Sequence, residues 1–287
     1  MQLKIQNETN PLKSVILGIA TDQGEPYDIN PVAKKHVRDG TYPKPEDIAI
    51  EMKEAKAILE SLGIEVLEPK NLYNKKQIFA RDIGFVIDDK FVIANMKEPI
   101  RADEIKGIDH ILKEIPTEDI ISVPKEATIE GGDVIVHNEH IFVGISYRTN
   151  WAGFEFLKEC FPNKEFHALP LVVTDDPVTN ILHLDCTFQP VGKKSAIIYE
   201  DGFLDRPSAI FDLFQEEQLI RISQKEKEMM FPNIFSIGPK DVLIEQNFIR
   251  LIEELEKRDI TCHKVKYSET SKLSGLLRCS TLPLLRD

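Results

Sequence analysis

No apolar run in this sequence is long enough to cross a bilayer. The N-terminal stretch MQLKIQNETNPLKSVILG lacks the basic region and apolar block of a secretion signal, so a cytoplasmic location is expected. Cysteine is scarce. Cys160, Cys186, Cys262 and Cys279 are too few for a disulfide scaffold, and none has the CxxC spacing of a zinc module, so they are read as reduced thiols. Positive charge is also in short supply. With 36 Lys and Arg against 48 Asp and Glu, the net charge is −12, which repels phosphate backbones and anionic lipid; neither nucleic acid nor membrane is expected as a partner. Low-complexity tracts and Ser/Gly linkers are absent too. What is there is the composition of a folded protein, 42% hydrophobic and 29% charged over 287 residues, enough to bury a sizeable core.

The patterning is that of an α/β chain that repeats itself. Two β-rich runs around a polar turn, GFVI (84–87) and KFVIAN (90–95), lead into an amphipathic helix expected over 101–115 and a strand over 120–123. The order returns as IEGGDVIV, HIFVGIS, a helix over 149–161 and a strand over 169–173. It returns again as ILHLDCTF, SAIIYE and a less regular helical stretch over 206–230. A fourth copy reads IFSIG, DVLIE, a helix over 248–258 and a strand over 261–265. Corresponding hairpins lie roughly fifty residues apart, within the range of repeat architectures. Left over are a strand at 14–18, an irregular loop to about residue 45, a helix from Glu46 ended by Gly63, a strand at 64–67 and a strand-like tail around Cys279. These make a fifth copy if the two ends meet. The fold expected is one α/β domain over 1–287, a five-bladed ββαβ propeller with pseudo-five-fold symmetry, closed by pairing of N- and C-terminal segments. The alternative is a two-domain α/β protein divided near 173–180.

Four places put charge, imidazole or thiol where the pattern asks for apolar residues. Phe79-Ala80-Arg81-Asp82 stands directly before GFVI, and Glu130-Gly131-Gly132-Asp133 lies inside a β-rich run, its glycines suggesting a bulge or a close backbone approach. In His183-Leu184-Asp185-Cys186, strand alternation puts His183 and Asp185 on one face. The fourth is Cys279, in LLRCSTLPLLRD. Singly, each has a plain structural reading: a packing cysteine, a satisfied His/Asp pair, a glutamate bridging a glycine turn, Asp82 paired with Arg81 at the surface. Their equivalent places in a repeat favour function, because carboxylates buried together are strongly unfavourable without a cation. Metal fits less well, since Asp185 and Cys186 fall on opposite strand faces and no His/Cys spacing matches zinc. A guanidinium fits better, because its planar fork of N–H donors matches several carboxylates.

Together FARD (79–82), EGGDV (130–134), the RTN of 148–150, HLD (183–185) and RCSTLPL (278–284) resemble the guanidino-group-modifying enzymes, namely arginine deiminases, dimethylarginine dimethylaminohydrolases and amidinotransferases. The motifs stand in that family's order. The resemblance implies the same five-bladed propeller, with Cys279 as nucleophile, His183 as general acid and base, and Glu130, Asp82 and Asp185 as the carboxylates around a bound guanidinium. Arg148 matches an arginine that holds the substrate's α-carboxylate, and Phe79 and Arg81 belong to the first substrate-binding motif. Asp185 beside the histidine and the RCSTLPL ending are closer to deiminases and amidinotransferases. In size, without an inserted helical domain, the chain is closer to the dimethylarginine hydrolases. Residues 272–276 read KLSGL where arginine deiminases are glycine-rich.

The chemistry implied is hydrolysis of a guanidino carbon–nitrogen bond of arginine or a methylated arginine through a covalent cysteine thiouronium, giving a citrulline-type product plus ammonia or an alkylamine. The alternatives are an amidinotransferase, in which an acceptor amine replaces water, and a non-catalytic arginine-binding sensor. The expected partner is a small cationic guanidino compound, with no cofactor and no metal, and a homo-oligomer is compatible with this reading. Loops within 21–45 and 264–275 are expected to select the substituents on nitrogen.

Overall fold

The β-rich runs pair locally, each folding back across a polar corner. In the computed structural model, which describes residues 1–26 and 29–287, β1 (Leu12–Leu17) and β2 (Glu65–Leu67) are parallel and are separated by helices α1 (Pro31–Arg38) and α2 (Pro45–Ser61). Four further units follow one plan: an antiparallel hairpin, a crossover, and a third strand parallel to the second. The first is β3 (Gly84–Ile87), β4 (Lys90–Ile93), α3 (Asp109–Leu112) and β5 (Ile120–Ser122). The second is β6 (Val134–His137), β7 (His140–Ile145), α4 (Trp151–Cys160) and β8 (Glu165–Pro170). The third is β9 (Phe188–Val191), β10 (Ser195–Ile198), α5 (Ser208–Leu213) and β11 (Leu219–Arg221), followed by α6 (Gln224–Glu228). The fourth is β12 (Phe235–Gly238), β13 (Asp241–Glu245), α7 (Ile249–Glu256) and β14 (Thr261–Val265), after which come α8 (Ser268–Ser271) and β15 (Thr281–Arg286).

β15 pairs antiparallel with β1, Leu17 opposite Thr281 and Leu12 opposite Arg286. The two ends of the chain thus build the missing hairpin. The described residues contain five three-stranded sheets, the number that five-fold repetition requires. Among them no helix is long and apolar enough to cross a membrane.

Local chemistry explains the elements. Asp88 and Asn138 take φ of 51° and 57° at hairpin corners, a left-handed backbone that short Asx side chains tolerate. Helix α2 opens on Pro45 with Glu46 and Asp47 in its first turn, and it buries Ile48, Met52, Ala55 and Leu59. Its Glu51, also buried, accepts bonds from the backbone N–H of Glu269 and Thr270, tying α2 to the segment that leads into Cys279. The apolar faces form two clusters. One joins α2 to the β9–β14 units through residues such as Phe188, Phe235 and Leu251, and the other packs Phe91, Val143, Phe154 and Leu282.

Several expectations need correction. The helix expected over 101–115 is broken into 3-10 turns at Pro99–Arg101 and Glu104–Ile108 and the short α3. Its amphipathic face survives, and a Cβ on Gly107 would lie 2.2 Å from Gln77 Nε2, so no side chain fits at that position. The stretch 206–230 is not one helical region: β11 lies inside it and pairs with β10. The strand expected at 169–173 begins earlier, at Glu165, and the loop expected up to residue 45 contains α1. His183 and Asp185 do not alternate along a strand. Leu184–Cys186 form a 3-10 turn with His183 at its N-cap, and the strand starts only at Phe188.

That last correction generalises. A tight helical turn precedes the first strand of each hairpin, at residues 80–83, Gly131–Asp133, Leu184–Cys186, Phe231–Asn233 and residues 277–280. The five turns carry or flank Asp82, Glu130, His183, Asn233 and Cys279.

Candidate active site

Asp82, Phe79, Arg148, His183 and Cys279 line one cavity of about 540 Å³, its open mouth included, a size that suits a small-molecule ligand. Glu130 lies directly behind it, fully buried. The glycines of EGGD make this convergence possible. A Cβ on Gly131 would lie 2.1 Å from the Arg81 carbonyl oxygen, and one on Gly132 would lie 2.7 Å from His183 Nδ1 and 3.1 Å from Asp82 Oδ1. The close backbone approach expected at this pair is therefore present.

His183 Nε2 bonds Glu130 Oε2 at 2.9 Å, which leaves Nδ1 3.8 Å from Asp82 Oδ1. Burial opposes a charge on this ring, but Asp82, Asp133 and Glu130 outweigh it and hold the imidazolium up to about pH 9. Burial likewise opposes charge on Glu130, and the bond from His183 with the nearby Arg148 brings its pKa down to about 2. Glu130 also accepts from Lys97 N–H at 3.1 Å and from Arg148 Nη1 at 3.4 Å. Asp133, behind the histidine, accepts from Ser146 Oγ at 2.7 Å and Leu184 N–H at 2.9 Å. Burial pushes its pKa up to about 7.

Arg148 is placed by its loop. Its backbone N–H donates to Ser146 Oγ, the Thr149 hydroxyl accepts from Glu130 N–H, and Asn150 caps α4 by accepting from Gly153 N–H. The Arg148 Nη2 donates to the Ile29 carbonyl at 3.3 Å, while Nε has no partner among the described residues.

Cys279 is 2% exposed, and its N–H donates to Asn233 Oδ1 at 3.1 Å. Asn233 accepts from Leu276 N–H as well, so the turn before β12 holds the turn before β15. Burial raises the thiol well above its ordinary pKa, and Asp185 and Asp82 raise it further. The Sγ lies 3.7 Å from Asp185 Oδ2.

Asp185 and Arg81 stand apart from the other expected residues. Asp185 is not on the cavity wall: its Oδ2 accepts from Arg278 Nη1 at 2.9 Å, and Oδ1 faces the thiols of Cys186 at 3.6 Å and Cys279 at 4.0 Å. Arg81 does not pair with Asp82. Its Nη1 lies 3.8 Å from Glu8 Oε1, in a second buried cluster with Arg278 and Arg286. The partner of Asp82 is Arg101, whose Nη1 donates to Oδ2 at 2.7 Å while Nε and Nη2 grip Glu104.

Arg101, Asn233 and Asp133 were missed from the sequence. For Asn233 a signal existed, because FPN stands before IFSIG where EGGD and HLDC stand before their strands. Arg101 carried no such sign, being the first residue of what reads as an ordinary crossover helix.

Asp82, Glu130 and His183 offer ligand atoms within 4.8 Å of one another. Arg101 and Arg148 already sit on the two carboxylates, so a dication there would meet two guanidinium charges. A planar organic cation can instead donate N–H to a free carboxylate oxygen, and Asp82 Oδ1 is without a partner among the described residues.

Comparison with known proteins follows the same direction. A family model described as "N,N dimethylarginine dimethylhydrolase, eukaryotic" matches residues 29–286. The uncharacterized protein YkgA of Bacillus subtilis is 33% identical over 231 residues, 79% of this chain and 77% of that one. An arginine deiminase of Listeria monocytogenes is 28% identical over 258 residues, 76% of this chain but 62% of the deiminase, so the chain spans less than two thirds of that enzyme. Among solved structures, the substrate-bound N-terminal domain of ArgZ, an arginine dihydrolase from cyanobacteria, superposes with a TM-score of 0.84 at 16% identity, covering 95% and 98% of the two chains. SxtG, an amidinotransferase from the saxitoxin pathway of Microseira wollei, superposes with a TM-score of 0.82 at 18% identity, covering 99% and 97%. At these identities the structural likeness establishes a shared mixed α/β fold.

Proposed function

This chain belongs to the N,N dimethylarginine dimethylhydrolase family, and from that premise and the cavity geometry we propose that it hydrolyses a guanidino carbon–nitrogen bond of arginine or a methylated arginine. The observation that carries the reading is that Asp82 and His183, each with a side-chain atom left without a partner among the described residues, line one cavity with Cys279. In this reading the five sheets are the blades of a single propeller domain over 1–287, and the five turns meet at its axis.

The guanidinium donates N–H bonds to Asp82 and approaches Asp185, while Arg148 takes the α-carboxylate in place of the Ile29 carbonyl. The cation brings positive charge to a thiol that burial and two carboxylates keep protonated, so Cys279 ionises as substrate arrives and its proton passes to solvent, His183 being already protonated. The thiolate attacks the guanidinium carbon, forming a carbon–sulfur bond and a tetrahedral adduct. As the carbon–nitrogen bond breaks, the departing amine takes the proton of the His183 imidazolium. The neutral His183 then takes a proton from water, which adds to the thiouronium carbon. Cleavage of the carbon–sulfur bond returns the thiolate and releases the ureido product.

Mass spectrometry of the protein incubated with a panel of guanidines tests this. The expected result is a mass shift on the peptide containing Cys279, absent in Cys279→Ser, with a urea-type product formed without added amine. Product that forms only when an acceptor amine such as glycine is present would make the protein an amidinotransferase. Binding without any adduct or turnover would leave a sensor.

A further inference from the structure

A second cluster of ligand-type side chains lies at the opposite end of β7 from the loop that carries Arg148. His140 opens β7 and stands in register with Glu165 on β8, and His167, two residues on, shares the face of Glu165. Three side chains from two adjacent strands therefore meet. His140 Nδ1 is 3.0 Å from His167 Nε2 and 3.4 Å from Glu165 Oε2, and His167 Nε2 is 3.7 Å from Glu165 Oε1. Zinc holds imidazole nitrogen and carboxylate oxygen at about 2.0–2.2 Å in tetrahedral sites, which sets neighbouring ligand atoms about 3.3–3.6 Å apart. The separations, taken to the two oxygens of the Glu165 carboxylate, are close to such edges, and one ligand atom from each of the three residues lies within 4.8 Å of the others.

Two further features suit an ion. The His167 ring is oriented by stacking on Phe142, with centroids 5.1 Å apart and planes at 29°, and Phe142 is fully buried. The side chains of His140 and His167 keep 23% and 15% of their exposure, so an ion can enter and one coordination position can face solvent. Two facing imidazole nitrogens need a proton between them, and a dication can replace it.

We propose that His140, Glu165 and His167 form a three-ligand site for a divalent transition metal of the zinc class, which staples β7 to β8. Two imidazoles and one carboxylate match zinc, cobalt or nickel and disfavour magnesium and calcium, which prefer oxygen-only sets. The clip closes the crossover that contains the Arg148 loop and α4, so it acts on stability. It lies away from the reacting groups, and the chemistry at Cys279 runs without it.

Titration of the Cys279→Ser protein with Co²⁺ tests the site with the competing thiol removed. One Co²⁺ per chain is expected, with visible ligand-field bands and no thiolate-to-metal charge-transfer band, and Zn²⁺ should raise the melting temperature as any ligand of the native state does. Both responses should be lost in His167→Gln and in His140→Gln, two independent variants in case one folds poorly, and turnover by otherwise wild-type protein should be unchanged in His167→Gln. Absence of Co²⁺ binding, or binding that persists in both histidine variants, would overturn the proposal. So would binding that disappears only when His183 is replaced, because the ion would then occupy the catalytic cavity.

Discussion

Two buried ionic clusters share the same two turns and treat their charges in opposite ways. The turn at 80–83 sends Asp82 to the cavity and Arg81 to the interior, and the turn at 277–280 sends Cys279 to the cavity and Arg278 to the interior. In the cavity cluster Asp82 and Glu130 meet Arg101, Arg148 and His183, and the atoms left over are Asp82 Oδ1, His183 Nδ1 and Arg148 Nε, all on residues that line the cavity. In the interior cluster Glu8 and Asp185 meet Arg278, Arg81 and Arg286, and the atoms left over include Arg81 Nε and Nη2, on a side chain that does not line that cavity. There burial and the neighbouring Arg278 lower Arg81 to about 9, and burial lowers Arg286 to about 10. Glu8 goes the other way: burial opposes its charge, but Arg278 and Arg81 bring it down to about 2. A buried carboxylate is thus no sign of a cation site by itself. What distinguishes the two clusters is which hydrogen-bonding atoms remain free and whether a ligand can reach them.

The contrast can be broken at four places. Arg278→Met should do the most damage, about 3–5 kcal/mol in urea unfolding, because it leaves both Glu8 and Asp185 buried without their nearest cation. A loss under about 1 kcal/mol would mean that the interior cluster is not held by this pairing. Glu130→Gln should act on the cavity instead, lowering kcat/KM about 10²-fold or more with the fold intact. It should also move the alkaline limb of activity from about 9 toward the ordinary imidazole range. The signs follow from linkage. The pKa of His183 rises on folding, so its stabilising contribution is complete below 6.5 and is lost as pH climbs through about 9. That of Glu130 falls, so its contribution is present above 4.5 and is lost as pH drops through about 2. A limb that stayed in place in Glu130→Gln would assign the shift to Asp82 and Asp133.

Gly132→Ala should cost activity about 10²-fold or somewhat less, by pushing the His183 ring off its position. Equal activity in this variant would show that the ring has room to move. Arg81→Met is the smallest expected effect, within about 1 kcal/mol of neutral, since most of the Arg81 guanidinium lacks an acceptor. The same substitution three kcal/mol apart at Arg278 and Arg81, roughly, is the sharpest statement of the comparison.

What the sequence made legible was local. GFVI, IEGGDVIV, SAIIYE and DVLIE announce their hairpins because alternation and polar corners act over a few residues. The five-sheet count and the meeting of β1 with β15 followed from counting those hairpins. The polar residues before four of the five hairpins were found too, and Asp82, His183 and Cys279 do reach one cavity. Partners were not legible. Asp185 is held by Arg278, 93 residues away, a partner that no local pattern announces. In the broken 101–115 helix Gly107 lies against Gln77 and Arg101 bonds Asp82, contacts from elsewhere in the chain that no helical periodicity records. β11 failed for a related reason: three residues among polar neighbours carry too little pattern to outvote the helical stretches around them.

The pairing of β1 with β15 also has a kinetic meaning. Four of the sheets form between residues close in sequence, whereas this one joins Leu17 to Thr281 across nearly the whole chain. Closing so long a loop carries the largest entropic cost, so this sheet is expected to form late in folding. The thiol of Cys279 lies two residues before β15 and is positioned by it. After dilution from denaturant, recovery of activity should therefore lag recovery of far-ultraviolet circular dichroism, which makes catalysis a readout of the final folding step.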